Sequence, residues 1–201
     1  LGIKRQIGIY QKPKKPILFN DLKIIIEQIN KSKESDYKKL RNKSLILIGF
    51  SGGFRRSELV AITKDDIEFV QEGVKIFVKR SKSDQSGEGM IKAIPYFKDS
   101  KYCPVTNLKN WLVENTSNLV FPISDKNVAL IIKRYLAKAG FNAEKYAGHS
   151  LRSGFATTTA KYGASERNIM AMTGHKSADM VRRYIKEANL FENNALNKIK
   201  I

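Results

Sequence analysis

The chain is poor in cysteine, histidine, tryptophan and acid. Of its 201 residues one is cysteine (Cys103), one is tryptophan (Trp111) and two are histidine (His149 and His175). A single cysteine excludes an intrachain disulfide and suits a reducing cytoplasm. So small a stock of Cys and His forms no cluster of structural zinc ligands. No apolar run approaches the roughly 20 residues that a spanning helix needs, so a membrane is not an expected partner. Acidic residues number 19 against 37 of Lys and Arg, a net charge of +18. That imbalance points to a polyanion, nucleic acid first; a lysine-rich surface kept for solubility is the plainer account of the same charge. Hydrophobic residues make up 42% of the chain, enough for the core of one domain at this length.

The apolar pattern is mostly helical. A first helix, capped by Asn20, carries Leu22, Ile25, Ile26 and Ile29 at i, i+3, i+4 and i+7. Residues 31–39 are polar and read as a loop or helix end. A second helix holds Leu45 and Ile48 and stops near Gly52-Gly53, which puts Arg55 just past its end, where glycine lets backbone approach a ligand. A short helix follows over 57–62. From residue 66 the period changes to that of strands: 67–70, 74–78 and 90–94, with Pro95 closing the third. Gly73 turns the first pair, and the polar stretch 81–89 turns the second. Helices return with Val105, Leu108, Trp111 and Leu112 on one face. Val128, Ile131, Ile132, Tyr135 and Leu136 follow, after a Ser124 or Asp125 cap and before a Gly140 stop. Further helices begin after His149, over 165–172 up to Gly174, and at Ser177. The fold class expected is mainly α with one small three-stranded antiparallel sheet (α+β).

Both histidines stand in short polar segments, His149-Ser150-Leu151-Arg152 and Gly174-His175, and Tyr184 follows nine residues after the second. With Arg55 the set reads Arg, His, Arg, His, Tyr. Guanidinium forks suit the nonbridging oxygens of a phosphodiester, because they bond two oxygens at once and keep their charge. Imidazole exchanges protons near neutral pH. A phenol with a base and cations beside it becomes a nucleophile. Plainer readings exist for each. Glu58 is either a carboxylate at a helix start or a group that orients an arginine. His149 or His175 can serve as a helix cap, and Tyr184 shares an apolar stripe with Met180, Val181 and Ile185, as a core tyrosine would.

Three segments, in order, carry a resemblance. Gly53-Phe54-Arg55-Arg56-Ser57-Glu58-Leu59 is similar to the first box of the tyrosine recombinase (phage integrase) family, Gly-x-Arg-x-Ser-Glu-Leu. His149-Ser150-Leu151-Arg152 is similar to its His-x-x-Arg box, and Gly174-His175 with Tyr184 to its third. The likeness runs from about residue 15 to 186. Phe54 and Arg56 depart from the aliphatic residues common there, and Arg56 leaves two arginines to choose between. The position two before Ser57 selects Arg55.

The resemblance implies the fold of the DNA breaking-rejoining enzymes and a site-specific recombinase that works through a 3′-phosphotyrosine, with neither metal nor other cofactor. Tyr184 is then the nucleophile, and Arg55 and Arg152 the phosphate clamp. His149 is a general base or phosphate donor, and His175 a donor to a nonbridging oxygen. Lys82, in Arg80-Ser81-Lys82-Ser83, protonates the leaving 5′ oxygen, with Lys79 and Lys92 as rivals on the same hairpin. The implied partners are double-stranded DNA and three further copies of the chain, in a tetramer on the prokaryotic nucleoid. Residues 1–15 read as a basic linker from an N-terminal DNA-binding domain, 16–186 as the catalytic domain and 187–201 as a tail for contact between copies. Three rivals remain: relaxation of one duplex in the manner of a type IB topoisomerase, a DNA-binding relative without catalysis, and a basic scaffold protein.

Overall fold

The computed structural model describes residues 14–79, 89–175, 177–191 and 195–199. Helix α1 (Phe19–Asn30) buries Leu22, Ile25, Ile26 and Ile29 completely, the stripe its spacing requires. It begins before Asn20, so Asn20 is not its cap. The Asp21 carboxylate instead accepts the Leu18 N–H at 3.1 Å, an acid placed where the helix dipole favours it. Helix α2 (Asp36–Ser51) starts inside the stretch read as loop. Its first turns are polar because they lie at the surface; its last turns, about two from Ser44 to Ser51, are buried on every side. A helix enclosed this way has no amphipathic period to reveal where it starts.

Helix α3 (Arg56–Ala61) leads through a 3₁₀ turn at Lys64–Asp66 into strand β1 (Ile67–Val70), followed by β2 (Gly73–Val78) and β3 (Met90–Pro95). The sheet is antiparallel in the order β1-β2-β3, with Ile67 opposite Ile76 and Val74 opposite Ile94. Alternation turns Val74, Ile76, Val78 and Ile94 inward and leaves Phe77 and Ile91 exposed. Ile76 pairs directly with Lys92, which therefore also points inward.

Helix α4 (Pro104–Glu114) packs along α2 and buries Val105, Leu108 and Trp111, whose indole N–H donates to the Val120 carbonyl at 2.6 Å. Helix α5 (Asp125–Lys138) is capped by Ser124, whose hydroxyl accepts the Asn127 N–H. Helices α6 (Ser150–Lys161), α7 (Glu166–Thr173) and α8 (Ala178–Ala188) complete the bundle, α6 lying against α2 and against both of its successors. A second small core of Ala156, Ala160, Ile169 and Val181 joins these three. No described helix is long and apolar enough to cross a membrane. The architecture is mainly helical with one three-stranded antiparallel sheet, as the sequence predicts.

Candidate active site

The end of α2, the start of α3, strand β3, the start of α6 and the α7–α8 turn converge on one region. Gly53, at φ +55°, reverses the chain after α2, and Arg55 follows in extended backbone as the N-cap of α3. Glu58 holds Arg55 at both ends. Its Oε2 accepts the Arg55 backbone N–H at 3.0 Å, and its Oε1 accepts Arg55 Nη1 at 2.6 Å. Both readings of Glu58 therefore apply together. The carboxylate is 4% exposed, and such charge-assisted bonds are about twice as strong as neutral ones. Arg56 lies across Gly148 instead, its Cδ where a Cβ at that glycine would sit.

Arg152, in the first turn of α6, is 5% exposed. Its Nη1 donates to the Gly53 carbonyl at 2.8 Å, which ties the second box to the first. Its Nη2 is buried with no partner among the described residues. Burial first and the Arg55 charge second push its pKa down to about 10, against the opposing pull of Glu58 and Tyr184. It remains a cation at neutral pH, so the fork holds an unanswered donor in a confined place.

His149 occupies the N-cap position of α6, but its side chain makes no cap bond. Partial desolvation, then Arg56, Arg152 and Arg55, hold its pKa below the ordinary histidine value. It is neutral at pH 7 and able to accept a proton. His175 follows Gly174, which closes α7 in the left-handed conformation. Its Nδ1 pairs with the Thr173 hydroxyl at 2.8 Å. Burial, Arg152, Arg55 and Lys92 push its pKa down to about 4. Its ring lies 6.1 Å from that of Tyr184. Tyr184, on α8, is half-buried against the small core of Ala156, Ile169 and Val181. The core role that its spacing allows is thus partly real, on the side facing α6 and α7.

Lys82 lies outside the described residues. Its two rivals are engaged. Lys79 Nζ is ion-paired with Asp66 at 2.8 Å. Lys92 is fully buried, donating to the carbonyls of Gly52, at 2.8 Å, and Met172, with the Phe54 ring 4.7 Å away. Burial pushes its pKa down to about 7, although Glu58 pulls the other way. Lys92 thus ties the end of α2 to the end of α7, the two turns that carry Arg55 and His175. Sequence reasoning weighed Lys92 only as a proton donor. The signal it passed over was parity: Lys92 is two residues from Ile94, hence on the buried face.

Residues 20–190 match the sequence profile of the phage integrase family. An integrase/recombinase xerD homolog of Selenomonas ruminantium is 42% identical over 214 residues, covering 98% of this chain and 61% of its own length. Among solved structures, the XerH site-specific recombinase bound to a palindromic difH substrate superposes with a TM-score of 0.72 at 21% identity, covering 91% of this chain and 54% of that one. The Tn1549 transposon integrase in complex with circular intermediate DNA gives 0.68 at 17%, covering 90% of this chain and 66% of that one. The chain therefore spans about three fifths of its Selenomonas relative. With the family profile matched over residues 20–190, most of its length, the chain belongs to the phage integrase family.

Proposed function

We propose that the chain is the strand-cleaving part of a site-specific DNA recombinase. The Tyr184 oxygen attacks a DNA phosphorus, forming a 3′-phosphotyrosine and breaking the bond to the 5′ oxygen. His149 accepts the phenol proton, and Lys82 gives a proton to the departing 5′ oxygen. Arg55, Arg152 and His175 stabilise the charge that develops on the nonbridging oxygens. A 5′ hydroxyl from a partner strand then attacks the phosphotyrosine and releases Tyr184. One ester replaces another at each step, so neither ATP nor a metal ion is needed; the cationic side chains supply the charge that Mg²⁺ supplies elsewhere. Exchange between two duplexes calls for four copies on DNA. Residues 1–15 are the linker, 16–186 the catalytic domain and 187–201 the contact between copies, and the setting is the prokaryotic cytoplasm.

The observation that carries this reading is the buried Arg152 Nη2, without a partner among the described residues, beside an Arg55 braced by Glu58. An unsatisfied buried donor costs about 1–3 kcal/mol, more when charged. A phosphate oxygen answers it. Arg152→Lys keeps the charge and removes the fork. Single-turnover cleavage should fall about 10²–10³-fold, as for loss of one donor to a developing oxyanion. Affinity for DNA should change little, since it is shared among many phosphate contacts. Equal losses in cleavage and binding would place Arg152 in general DNA binding instead.

A further inference from the structure

Thr173 ends α7 and is completely buried. Its Oγ1 lies 2.6 Å from the Ile169 carbonyl oxygen and 2.8 Å from His175 Nδ1. A hydroxyl has one hydrogen, and a carbonyl can only accept. Two oxygens 2.6 Å apart therefore hold that hydrogen between them, the bond a helical threonine makes to the carbonyl four residues back. What Oγ1 has left for His175 is a lone pair, so the hydrogen in the second contact must come from Nδ1. A neutral imidazole carries one N–H, which leaves Nε2 bare.

We propose that Thr173 is a positioning residue that locks His175 in its Nδ1–H tautomer, so that Nε2 meets the DNA phosphate as a proton acceptor. The role of His175 as a donor to a nonbridging oxygen then begins only when Nε2 has gained a proton. The groups that face the ring set when this happens. Arg152, Arg55 and Lys92, from β3, oppose a further positive charge, while Glu58 favours one. Tyr184 approaches from α8. The result is a bare Nε2 in the free chain at neutral pH. An arriving phosphate offsets the three cations, and Nε2 takes up a proton from solvent. DNA binding and protonation are coupled through this one atom.

The part played by phosphate rests on the proposed phosphoryl transfer; the tautomer does not, because it belongs to the free chain. With two histidines in the whole sequence, ¹⁵N-histidine labelling of the 201-residue chain gives two sets of ring signals, and His149→Gln identifies the set of His175. The expected result at pH 7 is a protonated-type Nδ1 and a bare, pyridine-type Nε2. Thr173→Ser should keep this pattern. Thr173→Val, similar in shape but without the hydroxyl, should lose it and shift toward the Nε2–H form, which donates to a phosphate oxygen without first taking up a proton. On a His175→Ala background Thr173→Val should change cleavage no further, since the two act as a unit. A bare Nδ1 in the wild type, or a Val variant with the wild-type pattern, overturns the proposal. A chain that shows the expected tautomer and never cleaves DNA would leave the pairing standing and remove the phosphoryl-transfer reading.

Discussion

Lys82 is the residue whose role the surrounding structure leaves most exposed to test. Its rivals are held: Lys79 by Asp66, and Lys92 by two backbone carbonyls in the core. If Lys82 is the general acid, Lys82→Ala should slow cleavage about 10²–10⁴-fold. A substrate with sulfur in place of the 5′ bridging oxygen has a leaving group that needs no proton, and it should restore most of that rate. It should restore little to Arg55→Ala or Arg152→Ala, which lose charge stabilisation. Rescue of Lys79→Ala with none of Lys82→Ala would move the acid to Lys79. At this scale the sequence was most legible in the Arg, His, Arg, His, Tyr series, whose members the fold brings to one region. It was silent on the Thr173–His175 pair. The two side chains meet only because Gly174, between them, adopts φ +63°, and neighbours two apart have no such contact in a regular helix.

Element by element, periodicity served well where an element has a wet face and a dry one. Helices α1, α4 and α5 and all three strands stand where their apolar spacing puts them. It failed at α2, whose buried half is apolar all round and whose polar start resembles a loop. Lys92 shows the same limit in a strand. Its charge argues for the surface, but register with Ile76 places it in the core. The cost of that placement makes it testable. A lysine held at about 7 when folded and near 10.4 when unfolded binds fewer protons in the native state between those values. Stability therefore rises with pH from about 7 upward, and the burial penalty is fully present below 7. Lys92→Met keeps the length and removes the titration. In urea unfolding from pH 7 to 9, wild type should gain on Lys92→Met as pH rises. A constant difference between the two would mean that Lys92 is not depressed. The variant should also lose about 1–3 kcal/mol at pH 8 from the two stranded carbonyls.

For the whole molecule, a net charge of +18 and a buried Arg152 Nη2 with no partner among the described residues fit a polyanionic partner, and the proposed contact between copies falls on the tail. Leu190, Phe191, Leu196 and Ile199 are 55%, 87%, 63% and 59% exposed, more apolar surface than the end of a helical domain needs for itself. Removing residues 190–201 should reduce the number of copies bound per DNA duplex in light scattering, with α8 and Tyr184 retained. An unchanged stoichiometry would contradict the tail's role. Strand cleavage itself rests on one oxygen atom, that of Tyr184. A nicked suicide substrate, whose released fragment diffuses away, traps the cleaved state. The expected result is a covalent protein–DNA adduct that survives denaturation, maps by peptide analysis to Tyr184, forms in excess EDTA and is absent from Tyr184→Phe, which still binds DNA. An adduct from Tyr184→Phe, or one mapped to any of the other seven tyrosines, would contradict it.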